Sequence, residues 1–196
     1  MTINAKDIAN LRAKTDLPMM DCKKALEEAG GNEKKAIEIL QKSGAAKVLK
    51  KSERETKSGL IEAYVHDGKI GVLVEILCET DFVAKNSDFK EFVHNIALHI
   101  AATNPRYISK EQIPDSEIEE KKESFLKQVD LEGKPAEIVE KIVEGKLAKY
   151  FEESCLLEQV YIKDDKVKIS SILSSLISKI GENIVISRFS RFEIGN

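Results

Sequence analysis

The chain has 196 residues, of which 42% are hydrophobic and 33% are charged, and its formal net charge is −3. This length fits one domain of ordinary size with a small accessory domain, and the composition supports a buried core beneath a charged surface. Since a protein that neutralises many phosphates is normally basic, the charge disfavours a general nucleic-acid binder.

Residues 1–45 are predicted to form three short helices. Asn4 and Asp7 have nearly the spacing and chemistry of a capping box at the first helix, and Asn32 is placed to cap the third. Gly44 is predicted to end the third helix, because glycine commonly terminates helices. The apolar stripes of the three helices consist of Ile8, Leu11, Met20, Ala25, Leu26, Ala29, Ala36, Ile37 and Leu40. This pattern predicts a compact three-helix domain.

Residues 46–57 are mostly charged and are predicted to be a linker. From Ser58 the hydrophobic period changes to two, which is typical of strands, and Asp67-Gly68 is a strong hairpin signal between two such segments. We expect one face of the second strand to be fully buried and the other partly buried. The buried face consists of Ile70, Val72, Val74, Ile76 and Cys78.

The segment CETDFVAKN, residues 78–86, follows this strand directly and places Phe82 at the strand end. A large ring at such a position commonly caps the core, whereas an exposed ring would indicate a contact surface. Ser87 or Asp88 is predicted to cap the next helix, which runs to about residue 102. The apolar stripe of that helix consists of Phe89, Val93, Ile96 and Ile100.

Residues 116–152 are predicted to form a helical hairpin that turns at DLEGKP, residues 130–135. Highly charged arms with a narrow apolar seam are typical of a protruding antiparallel coiled coil. The hairpin is either a contact surface or a structural extension. Its seam consists of Ile118, Phe125, Val129, Ile138, Val139, Ile142, Val143, Leu147 and Tyr150.

The remaining segments are a predicted strand near residues 155–162, a helix near 169–180 and a last strand at 183–194. If side chains alternate strictly along the last strand, one side of it carries Ile184, Ile186, Arg188, Ser190 and Phe192. Because no cysteine lies in that strand, we expect no disulfide across it. The pattern predicts an α+β protein in which residues 58–196 form an antiparallel sheet with packed helices and the protruding hairpin.

Motifs of catalysis are missing from the sequence. It contains no glycine-rich phosphate loop, no GxSxG and no HExxH. His94 and His99 lie on one predicted helix about 140° apart, so they cannot reach the same metal ion. His99 is either a half-buried core imidazole or an interface residue. The sequence therefore predicts a protein that is not an enzyme and has no metal site or cofactor.

Targeting and redox signals point to the cytoplasm. No apolar stretch is long enough to span a membrane, and the N-terminus lacks the apolar core of a secretion signal. The three cysteines form no CxxC pair, which argues against a disulfide framework and against a zinc site and suits a reducing compartment.

Four residues of the N-terminal helices combine apolar and positive character near one helix junction: Arg12, Met19, Met20 and Lys23. Methionine side chains adapt to partner surfaces, and lysine or arginine adds charge. A core position is plausible for Met20 but less so for both methionines. This cluster is therefore a candidate contact surface, together with Phe82 and the hairpin.

Five sequence blocks occur in order across nearly the whole chain: TDLPMMDCKKALEEAGGNEKKAIEIL, CETDFVAKN, HIA within NIALHIAATNP, GKPAEIVEKIVEGKLAKY and KIGENIVISRF. Together they resemble the elongation factor Ts family, whose members exchange nucleotide on elongation factor Tu. The resemblance implies that residues 1–45 are a ubiquitin-associated-like domain that binds the partner's GTPase domain through Arg12, Met19, Met20 and Lys23.

The same resemblance implies a role for the turn formed by Thr80, Asp81, Phe82 and Val83. Asp81 and Phe82 would push between helices of the partner's GTPase domain and displace the groups that hold Mg²⁺. Because Mg²⁺ bridges the nucleotide phosphates, this displacement weakens GDP binding. His99 is implied as a further contact in the core.

Longer members of the family carry two related core subdomains, and this chain has room for one. We therefore expect a homodimer, with the sheet and its last strands as the contact, unless the charged hairpin folds back over that surface. The alternatives are a ubiquitin-type adaptor, a ribosome- or RNA-binding protein, and an enzyme. They are disfavoured, respectively, by the blocks beyond residue 58, by a sequence pI of about 5.8, and by the missing catalytic motifs.

Overall fold

A computed structural model describes residues 4–15, 17–128 and 136–195. The first half of the chain contains α1 Ala5–Thr15, α2 Met19–Glu28, α3 Glu33–Lys51, β1 Ser58–His66, β2 Ile70–Cys78, α4 Asp81–Ala84 and α5 Ser87–Thr103. The second half contains α6 Asp115–Gln128, α7 Ala136–Ser154, β3 Val160–Tyr161, β4 Asp164–Lys168, α8 Ile169–Ile180 and β5 Ile184–Glu193. This mixture of helices and antiparallel sheet confirms the α+β class.

The N-terminal helices begin where the capping residues predict. Asp7 donates its backbone N–H to Asn4 Oδ1 at 2.8 Å, and Asn4 donates its own to Asp7 Oδ2 at 3.3 Å. Asn32 Oδ1 accepts the backbone N–H of Lys35 at 3.1 Å. Met20, for which both a core and a surface position were open, is 60% exposed, and Cys22 is buried instead. The helices enclose their own small core of Leu11, Leu17, Cys22, Ala25, Leu26, Ala36 and Leu40.

Helix α3 does not end at Gly44, which corrects the prediction. The helix continues to Lys51 and packs along α8. A glycine inside a helix costs only about 1 kcal/mol, so packing readily overrides it. A Cβ atom at Gly44 would lie 3.5 Å from Ser178 Oγ, so this glycine marks a close approach of two helices.

Strands β1, β2 and β5 form one antiparallel sheet in that order. The predicted hairpin is confirmed, because Asp67 and Gly68 have φ angles of 49° and 66°, as a tight turn between strands requires. One face of β2 is buried at Val72, Val74, Ile76 and Cys78. Against this face pack α5, whose predicted stripe is entirely buried, and α8. Asn86, rather than Ser87 or Asp88, caps α5.

The predicted strict alternation of β5 is wrong beyond Ile186. A β-bulge shifts the register between Glu75 and Ile76, so that Ser187 and Arg188 both bond to Glu75, at 2.7 and 2.9 Å. An extra residue in one strand reverses which side chains face the core. Phe189 consequently packs on the core, while Phe192 is 73% exposed on the outer face of the sheet.

Helices α6 and α7 pack against each other, as predicted for the hairpin, and the predicted turn at residues 130–135 lies outside the described residues. Glu117 anchors the base by accepting hydrogen bonds from Arg106 Nη1 at 2.7 Å, Tyr107 OH at 2.5 Å and Tyr150 OH at 2.6 Å. The bonds from the two tyrosines, Tyr107 first, hold the pKa of Glu117 below its ordinary value.

The predicted strand near residues 155–162 is much shorter than expected, because Leu156–Glu158 form a turn of 3-10 helix and only Val160–Tyr161 pair in a strand. Cys155 instead forms an isolated β-bridge with Tyr107, which connects the base of the hairpin to the start of the segment 155–162. Within the described residues no helix is long and apolar enough to cross a membrane.

Candidate functional site

The turn after β2 presents one large side chain to solvent. Phe82 is 88% exposed, whereas its neighbours Val83 and Ala84 are only 8% and 7% exposed and pack into the core. Asp81, which begins the single-turn helix α4, is also exposed. The ring of Phe82 therefore does not cap the core, and of the two interpretations of its position the structure shows exposure.

Thr80 connects this turn to a distant part of the chain. Its backbone N–H donates to Glu182 Oε2 at 3.0 Å, and its hydroxyl donates to Glu182 Oε1 at 2.7 Å. Thr80 also accepts a hydrogen bond from the thiol of Cys78 at 3.3 Å. Burial raises the pKa of Cys78 to about 11, so the thiol keeps its proton at neutral pH and remains a donor. Thr80 is thus held from both sides.

A second set of hydrogen bonds joins the end of β2 to the residues that follow α8, and here the donor comes from the segment after α8. Asn183 donates its backbone N–H to Glu79 Oε1 at 2.6 Å and its side-chain amide to the carbonyl oxygen of Arg54 at 2.9 Å. Arg54 Nη1 lies 3.4 Å from Glu79 Oε1. Glu182 and Asn183 were not predicted as site residues, because no sequence spacing indicates a partner about 100 positions away. Their only signal was their place in the block KIGENIVISRF.

The N-terminal candidate residues lie on the surface of the small helical core. Met19 and Met20 are 50% and 60% exposed, and Arg12 and Lys23 are exposed as well. Lys23 forms a long ion pair with Glu27, at 3.8 Å. These four residues belong to α1 and α2, whereas Phe82 lies on α4, directly after β2.

His99 lies in the interior, with 0% of its side chain exposed. Its Nε2 is 2.9 Å from Gln159 Oε1, and its Nδ1 accepts the backbone N–H of Ile162 at 3.4 Å. Burial lowers the pKa of the imidazole, which favours the neutral ring that this pattern of bonds requires. His99 therefore connects α5 by hydrogen bonds to the residues on both sides of β3.

The exposed His94 has its own partner, since its Nδ1 lies 2.9 Å from Glu62 Oε1. The two histidines of α5 thus have different surroundings and different partners. Among the residues that the structure describes, no group of three or more histidine, cysteine, aspartate or glutamate side chains is arranged to hold a metal ion. What the described site offers is a rigidly supported apolar side chain on the surface.

Comparison with known proteins places the chain in a family. The family model described as Elongation factor TS matches residues 3–196. Proteins named Elongation factor Ts are similar along the whole chain: one from Alkaliphilus oremlandii is 53% identical over 195 residues, which cover 100% of this chain and 90% of the relative. One from Fervidobacterium nodosum is 53% identical over 196 residues, covering 100% of both chains. One from Thermotoga petrophila is 54% identical over 196 residues, covering 98% of the relative.

Proposed function

The chain belongs to the elongation factor Ts family of nucleotide exchange factors in translation elongation, and on this premise we propose that it releases GDP from elongation factor Tu. The chain binds the GDP form of that GTPase in the cytoplasm and inserts Phe82 between helices of the nucleotide-binding domain. The insertion displaces the groups that hold Mg²⁺ and loosens the phosphate loop. GTP then replaces the released GDP.

The exposed ring of Phe82 is the observation that supports this mechanism. A ring that is 88% exposed contributes little to its own fold, yet it is set on a turn whose next two residues are buried. Protein interiors are packed as densely as organic crystals, so a partner cannot admit a ring without moving its own groups. Because Mg²⁺ offsets the charge of the phosphates, moving its ligands weakens the hold on GDP.

The direct test mixes the purified chain with elongation factor Tu that carries fluorescent GDP and an excess of unlabelled nucleotide. We expect the chain to accelerate the loss of fluorescence in proportion to its concentration until it saturates the partner. An unchanged rate of GDP release at saturating concentrations would refute the proposed function.

We propose that the N-terminal helices, residues 1–45, act as a ubiquitin-associated-like docking domain. Their separate core supports an independent unit, and the exposed Met19 and Met20 beside Lys23 supply an apolar contact with a positive edge. His99 is buried, so its proposed part in binding is indirect, through the elements that it supports.

Replacing Met19 and Met20 together by alanine is expected to weaken binding to elongation factor Tu by about tenfold, the loss of one moderate interface contact. The fold should persist, because both side chains are half or more exposed. Titration calorimetry measures the dissociation constant, and circular dichroism checks the helices. Deleting residues 1–45 is a poorer test, since it would cut α3 in its middle. An unchanged dissociation constant would show that this surface does not dock.

We propose that two copies of the chain associate through the outer face of the sheet. The side chains of Ile61, Val65, Leu73 and Phe192 are 50–73% exposed there. In the sheet register Val65, Gly71 and Phe192 lie side by side across three strands, which makes the patch continuous. Their exposure leaves these side chains available to a second copy. A continuous exposed apolar face favours a two-fold contact with a second copy.

Replacing Leu73 and Phe192 by glutamate is expected to convert a dimer of roughly twice 21.9 kDa into a monomer, because the contact would then oppose like charges. Light scattering at micromolar concentration, with and without elongation factor Tu, measures the mass. The control is Ile162→Glu, a change at a side chain that is 45% exposed and lies outside the three-stranded sheet. A wild-type chain that is monomeric in both conditions and fully active would remove the dimer from the mechanism.

A further inference from the structure

The single-turn helix that carries Phe82 cannot hold its own geometry. Helix α4 has four residues, and a helix of that length is unstable in isolation because nucleation is costly. Val83 and Ala84 anchor its inner side, but the exposed ring of Phe82 receives its direction from the backbone that enters the turn. That backbone passes through Thr80. Whatever fixes Thr80 therefore fixes the direction of the ring.

Glu182 fixes Thr80 with both of its carboxylate oxygens. One oxygen accepts the backbone N–H of Thr80 at 3.0 Å, and the other accepts its hydroxyl at 2.7 Å. Thr80 occupies the N-cap position of α4, where a threonine hydroxyl ordinarily bonds to the helix backbone, yet it makes no such capping bond. Its hydroxyl bonds instead to a residue 102 positions away. The hydroxyl of Thr80 thus connects two segments rather than capping its own helix.

The position of Glu182 is itself well determined. Gly181 ends α8 with a φ of 92°, a left-handed conformation that favours glycine. On the other side, Asn183 is only 3% exposed and bonds to Glu79 and to the carbonyl of Arg54. Each segment therefore supplies a carboxylate that accepts a backbone N–H from the other. We call the residues Glu79, Thr80, Glu182 and Asn183 the reciprocal clasp.

From this geometry we infer that Glu182 is a positioning residue for nucleotide exchange. It holds the turn so that Phe82 keeps its orientation when it contacts the partner. The inference rests on the proposed function of Phe82. A side chain that displaces the groups of a partner experiences an equal force in return, and a compliant turn would give way before the partner does. Bonds to an ionised carboxylate are shorter and stronger than neutral ones, so they suit this task.

The inference gives Thr80 a different role from the one that the resemblance implies. The resemblance implies that Thr80 is a direct partner contact, whereas its hydroxyl and its N–H are both engaged inside the chain. On the present inference Thr80 acts through Phe82. Thr80→Val, which removes the hydroxyl at nearly constant volume, should therefore produce part of the effect of Glu182→Ala.

The test compares Glu182→Ala, Glu182→Gln and the control Glu62→Ala, which removes another hydrogen-bonded surface carboxylate, on β1. GDP release from elongation factor Tu is measured over a range of concentrations, so that the rate at saturation separates from the half-saturating concentration. We expect Glu182→Ala to slow release at saturation about tenfold, as a loss of orientation does, with little change in half-saturation. Glu182→Gln should be intermediate, because its amide retains one acceptor oxygen.

A second readout follows the turn itself. Fluorophenylalanine at residue 82 gives a fluorine resonance that should sharpen in Glu182→Ala as the ring becomes more mobile, and should remain unchanged in Glu62→Ala. If the clasp is the cause, Glu182→Ala combined with Thr80→Val should slow release no further than Glu182→Ala alone.

Several outcomes would overturn the inference. Release at the wild-type rate by Glu182→Ala, with an unchanged resonance, would show that the clasp does not position the turn. Slower release accompanied by a proportionate loss of binding and of thermal stability would show that Glu182 is merely structural. Normal release by Phe82→Ala would refute the wedge role of Phe82 on which the inference rests, while the resonance would still report whether Glu182 holds the turn.

Discussion

Phe82→Ala is expected to slow the release of GDP from elongation factor Tu roughly thirtyfold or more while leaving the protein folded. Truncating a central interface residue typically costs at least about 2 kcal/mol, which corresponds to that factor. The ring is 88% exposed, so its removal opens no cavity in the core of the chain. The effect should therefore appear in exchange and not in stability.

The measurement pairs fluorescent-GDP release with circular dichroism and thermal unfolding of the same variant. Phe82→Leu retains apolar volume and should keep part of the activity, because displacement depends on volume more than on aromatic character. Val160→Ala, a truncation of an apolar side chain that is 44% exposed on β3, is the control and should exchange normally. A folded Phe82→Ala protein with wild-type exchange would refute the wedge mechanism.

Replacing Phe89, seven residues later, by alanine should instead lower stability. Phe89→Ala is expected to lower the free energy of unfolding by about 3–5 kcal/mol, since it removes a fully buried ring and leaves a cavity. Phe89 is 0% exposed and packs where α5 meets the sheet. A loss of that size is a large share of the about 5–15 kcal/mol that stabilises a typical protein.

Urea unfolding followed by circular dichroism measures the change, with Phe82→Ala as the matched control. Both variants lose the same atoms, and alanine favours helix, so neither substitution disfavours its helix. Only burial differs between them. A change of less than about 1 kcal/mol for Phe89→Ala would contradict the packing seen around this ring.

Features that depend on neighbouring residues could be predicted from the sequence. The caps at Asn4 and Asn32, the turn at Asp67 and Gly68, and the stripe of α5 all formed as predicted. Each follows from local hydrogen bonding, local backbone preference or helical periodicity, which adjacent residues specify by themselves. The exposure of Phe82 was not settled in this way, because a ring at a strand end has two physically reasonable positions.

The errors lie where distant segments meet. Gly44 remains helical because α8 packs against it. Beyond Ile186 the faces of β5 are reversed, because Glu75 on the neighbouring strand accepts bonds from two successive residues. None of these features has a signal within its own segment, so periodicity alone assigns each one incorrectly.

The sequence alone determined the order of the protein's segments, its α+β class and the five blocks that identify its family. Only the tertiary structure decided how the turn at Phe82 is held. Glu182 meets Thr80 across 102 positions because α8 ends at Gly181 beside the end of β2, and both segments pack on one core. Local pattern specifies which elements form, whereas contacts between remote segments depend on how those elements pack, and that packing orients the ring of Phe82.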